Sequence, residues 1–88
     1  MKIFVIVLDK QGESVKEAVN DRLKNKNVKF YRISSATFIL KGEYLSGEVA
    51  EIVGIKGDDR LKDASGVVFR IDSYSGFADP SIWEFLGD

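Results

Sequence analysis

The chain contains neither cysteine nor histidine. Without cysteine there is no disulfide framework, thiol nucleophile or thiolate metal site. Without histidine the usual general base at neutral pH is missing, as is the commonest zinc ligand, and a conventional Ser-His-Asp triad is excluded. Any catalysis would rest on carboxylates, hydroxyls, Lys, Arg or a hard, oxygen-ligated metal such as Mg²⁺. No apolar run approaches the ~20 residues of a membrane helix, so no membrane association is expected. Met1–Leu8 lacks the basic, apolar and small-residue order of a signal peptide and reads as a strand. Gly12 and Gly57 belong to no phosphate-binding loop, since neither GxGxxG nor GxxxxGK[ST] occurs. Together these absences point to a cytoplasmic setting.

What remains is one domain spanning residues 1–88, large enough for a single core. Hydrophobic content of 44% with 31% charged residues argues against disorder. The net charge of −1 conceals a division: residues 1–41 carry +5 and residues 42–88 carry −6. Such asymmetry can mark a basic patch for a polyanion, or charges that strands mix in space and water solvates. The sequence pI of about 5.4 favours the second reading.

The most informative stretch is Ile3-Phe4-Val5-Ile6-Val7-Leu8, apolar at six consecutive positions and followed by Asp9. A strand shows its side chains alternately to two faces, so both faces of this one require cover, which places it near the centre of a sheet. From Glu13 to about Lys26, Val15, Ala18, Val19 and Leu23 recur at helical spacing. Val28–Ile33 alternates like a half-buried strand, and Ala36–Lys41 is a second nearly continuous apolar run. The two join around Ser34-Ser35. A helix over Gly47–Val53 follows, with Ser46 able to cap it, Leu45, Val49, Ile52 and Val53 as its buried stripe, and Gly54 suited to its left-handed end. Residues 56–65 read as a polar surface loop. Val67–Asp72 is the last strand, with Val67, Phe69 and Ile71 on one face and Val68, Arg70 and Asp72 on the other. Asp79-Pro80 then starts a short C-terminal helix carrying Ile82, Trp83, Phe85 and Leu86.

Strand, helix, strand, strand, helix, strand is the ferredoxin-like βαββαβ plan, an α+β fold. It implies a four-stranded antiparallel sheet with two helices on one face. Its central strands are the first and third, which here are the two continuous apolar runs. The opposite face still carries either Ile3, Val5 and Val7 or Phe4, Ile6 and Leu8. Left wet, it would expose more contiguous apolar surface than soluble monomers usually tolerate. Two covers are available: the C-terminal segment Phe77–Leu86, or a second copy of the sheet. The homodimer is the favoured expectation, with Phe4, Ile6, Leu8, Phe38, Trp83 and Phe85 as its interface.

Leu8-Asp9, the Ser35-Ala36-Thr37-Phe38-Ile39-Leu40 strand and the Leu45-Ser46-Gly47-Glu48 helix start form a pattern that resembles a known group. It is the small CRISPR-associated ferredoxin-like endonuclease family of the adaptation complex, with the virulence-associated protein D and SinR-like small proteins. The closing Ser75-Gly76-Phe77-Ala78-Asp79 with Trp83 and Leu86 looks most like the SinR-like branch. The resemblance covers nearly the whole chain. It implies a homodimer in a mobile-element or defence context, with Asp9 at the position of the acid that pairs across the dimer to bind metal. Leu8 stands where that family usually has tyrosine, and Lys10-Gln11-Gly12 is a shorter connection than the family's.

Asp9 is therefore the candidate catalytic and metal-binding residue, its symmetry mate supplying a second carboxylate for Mg²⁺. An aspartate after a strand is also a common turn former. Lys24, Lys26, Lys29 and Arg32, with Arg22 nearby, form the densest basic stretch and are the candidate nucleic-acid contacts. Lys29 and Arg32 fall on opposite faces of their strand. The function expected first is a homodimeric binding protein for nucleic acid or a protein partner. The alternatives are an Mg²⁺-dependent endonuclease using Asp9 from each subunit and a regulatory or inhibitory protein-binding module. Whether the chain is an enzyme stays open at this point.

Overall fold

A computed structural model describes residues 1–9, 12–76 and 79–87. Lys10-Gln11, in the connection after the first strand, and Phe77-Ala78, in the C-terminal motif, lie outside the described residues. The elements follow the order β1 (Lys2–Leu8), α1 (Glu13–Asn25), β2 (Lys29–Ser34), β3 (Thr37–Gly42), α2 (Ser46–Val53), β4 (Gly66–Ile71) and α3 (Pro80–Gly87). The four strands form one antiparallel sheet in the order β2-β3-β1-β4, the ferredoxin-like α+β fold with an added C-terminal helix. The two uninterrupted apolar runs are its central strands, because only a central strand finds apolar cover on both sides.

Alternation along β1 sends Phe4, Ile6 and Leu8 to one face, where they are 0–5% exposed. They pack with Phe38 and Leu40 of β3, Val19 and Leu23 of α1, and Val49 and Val53 of α2. This core sits between the sheet and helices α1 and α2, on the side we call the front. The interface expected of Phe4, Ile6, Leu8 and Phe38 is corrected here, since all four are sealed beneath α1 and α2 and cannot reach a partner. Strand periodicity alone leaves two possible β1 faces. The helices cover Phe4, Ile6 and Leu8, so Ile3, Val5 and Val7 form the back.

Local features differ from the sequence expectation at the start of α2. Ser46 is the first helical residue and does not cap; Leu45 occupies the cap position, 67% exposed and outside the buried stripe. The Glu48 carboxylate instead accepts from the Leu45 N–H at 2.8 Å, one half of a capping box. At the other end Gly54 adopts φ +98°, the left-handed conformation that favours glycine. Arg22 of α1 reaches across to the same end, donating from Nε to the Ile52 carbonyl at 2.9 Å and from a terminal nitrogen to the Glu51 carbonyl at 3.1 Å. Those last-turn carbonyls have no partner within the helix, so this cation satisfies them and pins α1 to α2. In the surface loop, Ala64 is buried and Leu61 packs against the core.

The β2–β3 hairpin turns through Ser35 and Ala36, with a register shift between Arg32 and Ser34. α3 starts as its sequence implies: Asp79 Oδ1 accepts from the Ser81 N–H at 2.9 Å and from Ser81 Oγ at 2.7 Å. The Ser81 hydroxyl, and then its N–H, hold the Asp79 carboxyl below its ordinary value.

Candidate docking site

The back of the sheet is covered on one side only. Tyr31 of β2 and Lys41 of β3 share this face with Ile39, and α3 lies over them. The Phe85 ring stands 5.9 Å from the Tyr31 ring and 5.0 Å from Lys41 Nζ. Lys41 is 4% exposed and its ammonium donates to the Phe85 carbonyl at 2.6 Å. A charged group this deep requires such an acceptor, and the last turn of a helix supplies a negatively polarised one. Lys29, directly opposite Lys41 on the same face, is exposed.

The other half of the back is open. Val5 pairs with Phe69, and Val7 with Val67, in the β1–β4 register. Val7 is 41% exposed, Val67 53% and Phe69 51%. The outermost strand, β4, therefore turns its larger apolar row away from the helices. Only Val68 of that strand packs against the front core.

At the end of this strip, Val7, Leu8, Asp9, Ser65, Gly66, Val67 and Phe69 line a shallow depression. Asp9 is exposed there, and its N–H donates to the Ser65 carbonyl at 2.9 Å. One chain thus offers a hard cation a single carboxylate in largely apolar surroundings. Magnesium needs an octahedron of oxygens, usually with one or two carboxylates, so this donor set is incomplete without a second subunit. Among the described residues no group of three or more Asp or Glu side chains could hold a metal ion. Asp58, Asp59 and Asp63 lie exposed in the loop after α2.

The basic set does not converge. Lys24 and Lys26 are exposed at the end of α1, and Lys29 points to the back. Arg32 turns to the front, where it pairs with Glu17 at 2.7 Å, donates to the Ser34 and Ser35 carbonyls and lies over the Phe38 ring. Trp83 and Phe85, also expected at a dimer interface, belong to α3: Trp83 is 6.1 Å from the Tyr74 ring and Phe85 is on Lys41. Sequence reasoning missed Val67 and Phe69 as surface residues. Their alternation was clear, but nothing in one strand says which face its neighbours roof.

Among the described residues no helix is long and apolar enough to cross a membrane. No protein-family model matches the sequence, and no functionally curated protein matches it.

Proposed function

We propose that this chain is a homodimeric binding protein, related to the CRISPR-associated and SinR-like proteins that its motifs resemble, and that it acts in the cytoplasm by docking rather than by catalysis. The observation that carries this reading is the open half of the back face, with Val7, Val67 and Phe69 half exposed in a row. An open sheet of this topology that binds single-stranded RNA stacks bases on aromatic side chains of its strands. Here the uncovered part of the central strands presents Ile3, Val5, Val7 and Thr37 to the back, β-branched side chains suited to packing against another sheet. The divided basic set and the inward-turned Arg32 also favour a protein partner over a phosphate backbone. A second copy is the partner whose surface is already matched, since a two-fold axis sets one apolar strip against its twin.

The test is the mass of the chain in solution, by sedimentation equilibrium, beside Val67→Lys. The wild type should weigh twice the chain mass and the variant once. A wild type that stays monomeric at every concentration measured would overturn the dimer. The endonuclease alternative draws on one observation, that Asp9 rims the same strip. A symmetry axis there would gather two carboxylates. If that alternative holds, Asp9→Asn abolishes Mg²⁺-dependent cleavage and leaves the mass unchanged.

A further inference from the structure

The two faces of the sheet are covered in chemically different ways. On the front, α1 and α2 rest on Phe4, Ile6, Leu8, Phe38 and Leu40, all apolar and all nearly inaccessible. Lifting either helix would expose this surface with nothing to offset the loss. On the back, α3 fully buries only Leu86 among its described residues, while Ile82, Trp83 and Phe85 are half-buried. The rest of its attachment joins ring contacts, Phe85 on Tyr31 and Trp83 on Tyr74, to polar bonds: Lys41 to the Phe85 carbonyl, the Tyr31 hydroxyl to Ser81 Oγ, and the Tyr74 hydroxyl to the Leu86 carbonyl at 3.4 Å.

We propose that α3 is a displaceable strap, which lifts from the sheet as a unit while the four strands and the front helices stay folded. When it lifts, the Lys41 ammonium, the tyrosine and serine hydroxyls and the last-turn carbonyls all regain water. That hydration offsets much of what the contacts contributed. Segments with few fully buried side chains occupy the low end of a protein's range of opening free energies, and α3 has one among its described residues. Its departure uncovers Tyr31, Ile39 and Lys41 beside the open Val7, Val67 and Phe69. The back then becomes one continuous face across all four strands. The strap thus sets how much of this face is open to a second copy, a consequence that rests on the dimer proposed above; the lifting itself does not.

Hydrogen exchange on the full chain, with and without Phe85→Ala, tests it. Solution mass is measured in parallel, so that α3 is compared within one oligomeric state. In the wild type the amides of residues 84–87 should exchange at least about tenfold faster than those of β1 and β3. Phe85→Ala should accelerate the α3 amides further and leave the β1 and β3 amides unchanged. Acrylamide should also quench Trp83, the sole tryptophan, more readily in the variant. Exchange of α3 and sheet amides in one common step, equal acceleration of both by Phe85→Ala, or loss of the folded sheet in that variant would each overturn the proposal.

Discussion

Phe69 stands directly opposite Val5 in the antiparallel β4–β1 pair, and Val5 faces Ile39 across β1–β3. Three strands therefore share one apolar row, whose exposure runs from 2% at Ile39 beneath α3 to 51% at Phe69 on the edge. Phe69→Glu places a carboxylate at the open end of that row. Because Phe69 is half exposed within one chain, the folded chain should lose no more than about 1 kcal/mol. Self-association should be lost. Thermal unfolding and solution mass, measured together, separate the two effects.

Phe38 lies at the opposite extreme, fully buried on the front between β3 and the helices. Phe38→Ala removes its packing and leaves a cavity, so it should cost about 3–5 kcal/mol. Val67→Ala, on the open back, should fall within about 1 kcal/mol of the wild type. Urea unfolding of the two variants, at a concentration where each is monomeric, ranks the faces; equal costs would mean that the back is sealed within one chain.

Arg22 serves α2 from another helix. Arg22→Ala leaves the Glu51 and Ile52 carbonyls without their donors and should cost about 1–3 kcal/mol, read by the urea midpoint. Arg22→Lys should recover only part of this, since one ammonium cannot span two carbonyls as the guanidinium fork does. The same corner makes Gly54→Ala unfavourable: φ is +98° and a Cβ would stand 3.0 Å from both Arg22 Cδ and Leu61 Cγ.

Asp79 ties the attachment of α3 to acid pH. Its carboxyl sits below the ordinary 3.8 because the Ser81 hydroxyl and N–H bond to the ionised form. A lowered value means that the contribution is fully present above the unfolded value and is lost as pH falls through the folded one. Trp83 fluorescence should therefore hold steady down to about pH 4 and change below it. In Asp79→Asn, which still accepts a bond but does not ionise, this titration should vanish.

Much of this architecture was legible in the sequence. Two continuous apolar runs marked β1 and β3 as central, and two alternating runs marked β2 and β4 as edges. Asp79-Pro80 and Gly54 marked helix ends because their conformational preferences are local. What was not legible depended on partners distant in the chain. Alternation grouped Phe4 with Ile6 and Leu8 but could not say that the helices would land on them. Lys41 looked like a strand end, and its burial depends on a carbonyl 44 residues away. Alternation separates Arg32 from Lys29, but the pairing of Arg32 with Glu17 of α1 depends on where that helix lands. Ser46 had the chemistry of a cap, but the helix began one residue early. The back-face site was half visible: the need for cover could be read from β1, but its location on β4 could not.

The central claim is that two copies meet through the open half of the back, and solution mass alone does not say which face they use. A chain without cysteine allows one spin label at a time to be placed cleanly. Asp9→Cys sits beside the open strip, and Asp21→Cys sits exposed on α1 at the front. Label-to-label distances within the dimer should be shorter at position 9 than at position 21. A shorter distance at position 21, or no coupling between copies at either position, would contradict the account.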